Sequence, residues 1–118
     1  MLNGLNFIML HTDDVTEAAT FYTEKLGLEI DGPQTPDFVQ FKQPMGNGAM
    51  LAIGKGERAN PGQGIELWWF VDNADAVCAT LKERGVQIVD GLKDEPFGRT
   101  FSVKDPAGYI VYILQPSQ

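Results

Sequence analysis

Two stretches of the chain repeat apolar residues at the spacing of one helix face. Val15, Ala18, Ala19, Tyr22 and Leu26 recur at i, i+3, i+4, i+7 and i+11, behind Asp14 as N-cap with Glu17 three positions on, and ahead of Gly27. Ala74, Val77, Cys78 and Leu81 repeat the stripe after Asp72 or Asn73 as N-cap and before Gly85. The pattern predicts capped amphipathic helices over about 15–26 and 73–84, with Cys78 on the buried stripe as a core residue rather than a reactive thiol. The remaining apolar segments are short and divided by Gly and Pro, which predicts strands at 5–11, 28–31, 38–43, 49–54, 66–71, 87–89, 100–104 and 110–114. Asp105-Pro106-Ala107-Gly108 suits a tight turn joining the last two strands as a hairpin.

Shifting the sequence by 58 residues places Asp14 on Asp72, Ala18 on Ala76, Gly27 on Gly85, Leu28 on Val86 and Ile30 on Ile88. The order βαβββ therefore occurs twice, as modules at about 1–54 and 64–116 of one α+β domain spanning 1–118, joined by the polar stretch 55–63. Helices on one face of each sheet leave the other faces to curl into an open cup. Period-two alternation puts Phe7, Met9 and His11 on one face of the first strand, and Glu66, Trp68 and Phe70 on one face of the fifth. Trp68 and its neighbour Trp69 must point to opposite faces, and the frame set by Glu66 assigns Trp68 to the cup. Met50, Tyr112, Ile110 and Leu114 complete an apolar and aromatic lining that suits a flat organic ligand.

Composition narrows the classes. The 118 residues fit one domain, and 9 Lys plus Arg against 16 Asp plus Glu give a net charge of -7, divided between the halves as -4 and -3. Basic residues never cluster, so nucleic acid is excluded as a partner. No apolar run is long enough for a membrane span, and residues 1–10 lack a basic leader segment, so a cytoplasmic protein is expected. One Cys and one His allow neither an internal disulfide nor a zinc finger. The acidic balance suits cationic small molecules, or solubility alone. Gly46-Asn47-Gly48 and Gly54-Lys55-Gly56 flank strands instead of opening a helix, so they read as turns and not as phosphate cradles. Arg99, in Phe97-Gly98-Arg99, is either an anion anchor at a lid edge or a surface ion-pair partner.

Three segments, FYTEKLGLEI at 21–30, VDNADAVCATLKERGVQIVD at 71–90 and FGRTFSVKDPAGYIVYIL at 97–114, together resemble the glyoxalase, bleomycin-resistance and extradiol-dioxygenase superfamily, the vicinal oxygen chelate family. The resemblance implies the cup-shaped fold and a homodimer. It does not choose a reaction, because such proteins include metal-dependent isomerases, lyases, epimerases and dioxygenases beside metal-free proteins that sequester antibiotics. The positions that match the family's metal ligands hold Phe7, Ala52, Glu66 and Tyr112, of which Glu66 alone is a usual ligand, so neither metal nor cofactor is expected. His11 and Glu66 are the catalytic candidates, as an atypical metal site with Tyr112 or as an acid–base pair, with a plain strand-end role also open to His11. The expectation is metal-independent binding of a small aromatic or cationic organic molecule. Glu66 supplies charge, Trp68, Phe7 and Tyr112 supply stacking surfaces, and His11 a hydrogen bond. The alternatives are a lyase, isomerase or dioxygenase of the same superfamily, and a subunit whose apolar cup serves assembly.

Overall fold

A computed structural model describes residues 1, 5–46, 48–57 and 66–117. The chain forms two compact units, Met1–Ala59 and Asn60–Gln118. The linker expected at 55–63 falls mostly outside the described residues.

The first unit begins with strand β1 (Phe7–Thr12), followed by helix α1 (Val15–Thr20). Asp14 caps that helix, its carboxylate accepting the Glu17 amide at 2.9 Å, as the spacing of the two residues predicts. The expected α-helix to residue 26 stops early, because Phe21–Lys25 form a π-helical segment. The wider turn seats the consecutive aromatics Phe21 and Tyr22 in the core together, edge to face at 5.2 Å, with Tyr22 also meeting Phe41 at 5.7 Å. Strands β2 (Phe38–Gln40) and β3 (Met50–Lys55) complete a three-stranded sheet in the order β1-β3-β2. β3 runs parallel to β1, pairing Phe7 with Met50, and antiparallel to β2. The strand expected at 28–31 is reduced to a single bridge between Ile30 and Phe41. Asp31, Gly32 and Pro33 end it at once, since proline lacks the amide a ladder needs.

The second unit holds the full βαβββ order: β4 (Leu67–Phe70), α2 (Ala74–Glu83), β5 (Ile88–Glu95), β6 (Gly98–Lys104) and β7 (Ile110–Pro116). Its sheet runs β4-β7-β6-β5, with β4 parallel to β7 and the other pairs antiparallel. Asn73, not Asp72, caps α2 by accepting the Ala76 amide at 3.0 Å, and Gln115 Oε1 takes the Ala74 amide at 2.8 Å. Two of the helix's orphan donors are thereby satisfied. Cys78 is buried on the inner stripe with Ala74 and Leu81. Asp105 organises the predicted turn, its carboxylate accepting the amides of Ala107 at 2.9 Å and Tyr109 at 2.8 Å. The strand expected at 87–89 extends to Glu95, with irregular pairing between Ile88 and Asp90 and between Asp90 and Lys93. Among the described residues no helix is long and apolar enough to cross a membrane.

Candidate functional site

The alternation of β4 separates its two tryptophans as their adjacency requires. Trp69 is half-buried, whereas Trp68 is 43% exposed and Phe70 71% exposed. The pairing of four strands then lays side chains in rows across the sheet. One row runs Trp68, Tyr112, Ser102 and Asp90; the next runs Phe70, Leu114, Thr100 and Lys93. Residues between these on β6 face the other way. Arg99 pairs with Asp75 of α2 at 2.9 Å and Asp94 at 3.0 Å, which marks the helix-covered side. Trp68 and its row therefore occupy the sheet face opposite α2.

On that face lies a cleft of about 210 Å³, lined by Glu66, Trp68, Asp90, Lys93, Glu95, Phe97, Thr100, Phe101, Ser102 and Tyr112. Trp68 and Tyr112 stack with centroids 4.7 Å apart and planes 19° from parallel. Phe97, from the turn between β5 and β6, reaches back to meet Trp68 edge to face at 5.9 Å. The Trp68 indole N–H donates to Glu66 Oε1 at 3.1 Å, which fixes the ring and the carboxylate together. Tyr112 feels the same surroundings: burial, then the Glu66 carboxylate and Asp90, raise its pKa above the ordinary 10.0. Three carboxylates, Glu66, Asp90 and Glu95, thus face one ammonium, Lys93, and Lys93 is already paired with Glu95 at 3.5 Å. Chemically the cleft offers flat π-surfaces and an excess of negative charge, which together attract planar cations.

The sequence-predicted site residues divide between the two units. Glu66, Trp68 and Tyr112 come together in the cleft, and Phe70 lies on the same sheet face beside them. Arg99 is held in its two ion pairs outside the cleft lining. In the first unit Phe7, Met9 and His11 alternate outward along β1, and Met50 sits beside Phe7 on β3 with its sulfur 3.6 Å from Gln40 Nε2. His11 and Met9 lie against the backbone of β3, where a side chain at Gly54 would come within 2.7 Å of the Met9 sulfur. Phe97, Asp90, Lys93, Glu95, Thr100 and Ser102 were not singled out as ligand-binding residues. The signal for Ser102 and Thr100 was present, since a hairpin closed by the 105–108 turn sets Ser102 opposite Tyr112 and Thr100 opposite Leu114. The positions matching the family's metal ligands do not fit a divalent ion: Ala52 is fully buried without a donor atom and Phe7 has none, which leaves Glu66 with the phenol of Tyr112, a poor ligand.

Comparison with known proteins agrees with this architecture. The solved structure of TnmS3, an antibiotic binding protein from Streptomyces sp. CB03234, is similar with 30% identity and a TM-score of 0.84, covering 98% of each chain. A glyoxalase/bleomycin resistance protein from Streptomyces sp. CB03234 is also 30% identical, with a TM-score of 0.76 over 96% of this chain and 100% of the other. Lactoylglutathione lyase from Agrobacterium tumefaciens, at 19% identity and a TM-score of 0.74 over 96% and 93% of the two chains, shares the fold. No curated protein matches the chain. The family model described as Glyoxalase/Bleomycin resistance protein/Dioxygenase superfamily matches residues 4–113, nearly the whole chain, and the protein belongs to that superfamily.

Proposed function

We propose that this protein binds and sequesters a small planar aromatic cation, without a metal, in the cleft of its second sheet. The observation that carries the reading is the Trp68–Tyr112 stack held beside Glu66, with Asp90 and Glu95 in the same lining. An aromatic stack next to an excess of carboxylates over ammonium groups favours a ligand that is both flat and positively charged. The antibiotic-binding role of TnmS3, 30% identical over nearly the full length, supports binding rather than turnover. The missing donors at Phe7 and Ala52 support independence from metal. We take the binder to act in the cytoplasm as a homodimer. The free, buried Cys78 suits a reducing compartment. The sheet-edge positions of β1 and β4, and the exposed Phe7 and Met9, support a partner copy.

Calorimetric titration tests this with two planar probes: proflavine, a cation, and 1-pyrenesulfonate, an anion, each in buffer containing EDTA. Proflavine should bind saturably and the anion at least roughly tenfold more weakly, about 1.4 kcal/mol. Equal affinities, or proflavine binding that EDTA abolishes, would contradict the reading.

A further inference from the structure

In the row beside the aromatic stack, the cleft lining holds a polar group that the stack does not use. Thr100 is 3% exposed and lies on β6 between Leu114 of β7 and Lys93 of β5. Its neighbour Ser102 is as deeply buried, but that hydroxyl is engaged, accepting the Asp90 amide at 3.2 Å and donating to the Asp90 carboxylate at 3.5 Å. Among the described residues the enclosed side-chain polar atom without a partner is the Trp69 indole nitrogen, whereas the Thr100 hydroxyl, also without a protein partner, opens onto the cleft that its side chain lines. A hydroxyl that opens onto a cavity is free to be met from the cavity side, by water or by a ligand. The surroundings say which kind of partner fits. Glu66, Asp90 and Glu95 are acceptors, and the cationic Lys93 already pairs with Glu95. A ligand among acceptors must bring donors, and a threonine oxygen accepts as readily as it donates.

We propose that Thr100 is a specificity-determining contact, accepting a hydrogen bond from an N–H group attached to the ring of the bound cation. The proposal rests on the cleft being the binding site. It narrows the ligand class to aromatic cations with primary or secondary ring amines, because an N-methylated analogue would shut water away from the hydroxyl without donating to it. Proflavine and acridine orange form a matched pair, with the same ring system and charge but the ring amines of the second fully methylated. Calorimetry on the full chain, with thermal melts to confirm folding, compares both dyes against the unmodified protein, Thr100→Val, Thr100→Ala and Thr100→Ser. The unmodified protein and Thr100→Ser should prefer proflavine roughly tenfold, and Thr100→Val and Thr100→Ala should lose that preference by weakening proflavine alone. If Thr100→Val weakens both dyes equally or neither, or if the preference persists without the hydroxyl, the contact is disproved while the cleft stands. If neither dye binds the unmodified protein, the cleft reading itself falls and Thr100 with it.

Discussion

At Tyr112, burial, stacking and charge act on one side chain. Its phenol is held protonated beyond the ordinary 10.0, first by burial and then by Glu66 and Asp90. On raising the pH, the unfolded chain gives up this proton first, so the stability it contributes is fully present below about pH 10 and is lost as the pH climbs through the folded value. Titration followed at 295 nm, as the difference between the unmodified protein and Tyr112→Phe, should give a midpoint above 10.0 for this residue. Repeating the difference in a Glu66→Gln background should lower that midpoint while burial keeps it above 10.0; an unchanged midpoint would separate Glu66 from Tyr112. Glu66, Trp68 and Tyr112 were legible because alternation along a strand is a strict rule that a single side chain cannot escape. Thr100 was harder to single out. Small hydroxyl residues are ordinary in strands, and the burial of this one follows from the folded cleft around it, which sequence spacing does not encode.

The β5–β6 hairpin is the element on which the cleft depends, since it supplies Phe97, Asp90, Lys93, Glu95 and Thr100. Its anchor is Gly98, at φ 151°, where an added Cβ would collide with the Gln115 carbonyl oxygen and lie 2.8 Å from Leu114 Cδ1. Both the backbone angle and the close approach require glycine. Gly98→Ala should therefore cost about 3 kcal/mol in urea denaturation, combining strain with an overpacked backbone contact. A loss below about 1 kcal/mol would show that the turn readjusts freely. Most of β5 was not legible, and its composition explains why. Asp90-Gly91-Leu92-Lys93-Asp94-Glu95 neither alternates nor favours strand, and it forms one because β6 offers an edge to pair with, which charged residues then protect. The helices were legible through their caps, Asp14 and Asn73, and through Gly27 and Gly85 at φ 80° and 77°. The π-helical segment was not, because helical spacing accounts for Tyr22 but gives no place for Phe21 on the same stripe.

For the whole molecule, the sheets of the two units share the order of parallel and antiparallel pairing, β1-β3-β2 and β4-β7-β6, while β5 is an edge strand of the second for which the first has only a bridge, so the βαβββ order expected twice is complete in the second unit alone. The internal match at a 58-residue shift made that plan legible, whereas the Ile30–Phe41 bridge shows how far the first copy has shortened its outer strand. Edge strands with exposed apolar residues favour a second copy. Light scattering at micromolar concentration should give twice the 13.0 kDa of one chain, and a persistent single-chain mass would reject the homodimer. The claim that joins all three scales is that the Trp68 surface holds a planar cation. Calorimetric titration of proflavine into the unmodified protein and Trp68→Ala tests it most directly, because Trp68 is 43% exposed and its removal leaves the core intact. Affinity should fall roughly tenfold or more with the melting temperature nearly unchanged; proflavine binding to Trp68→Ala as tightly as to the unmodified protein would contradict the account.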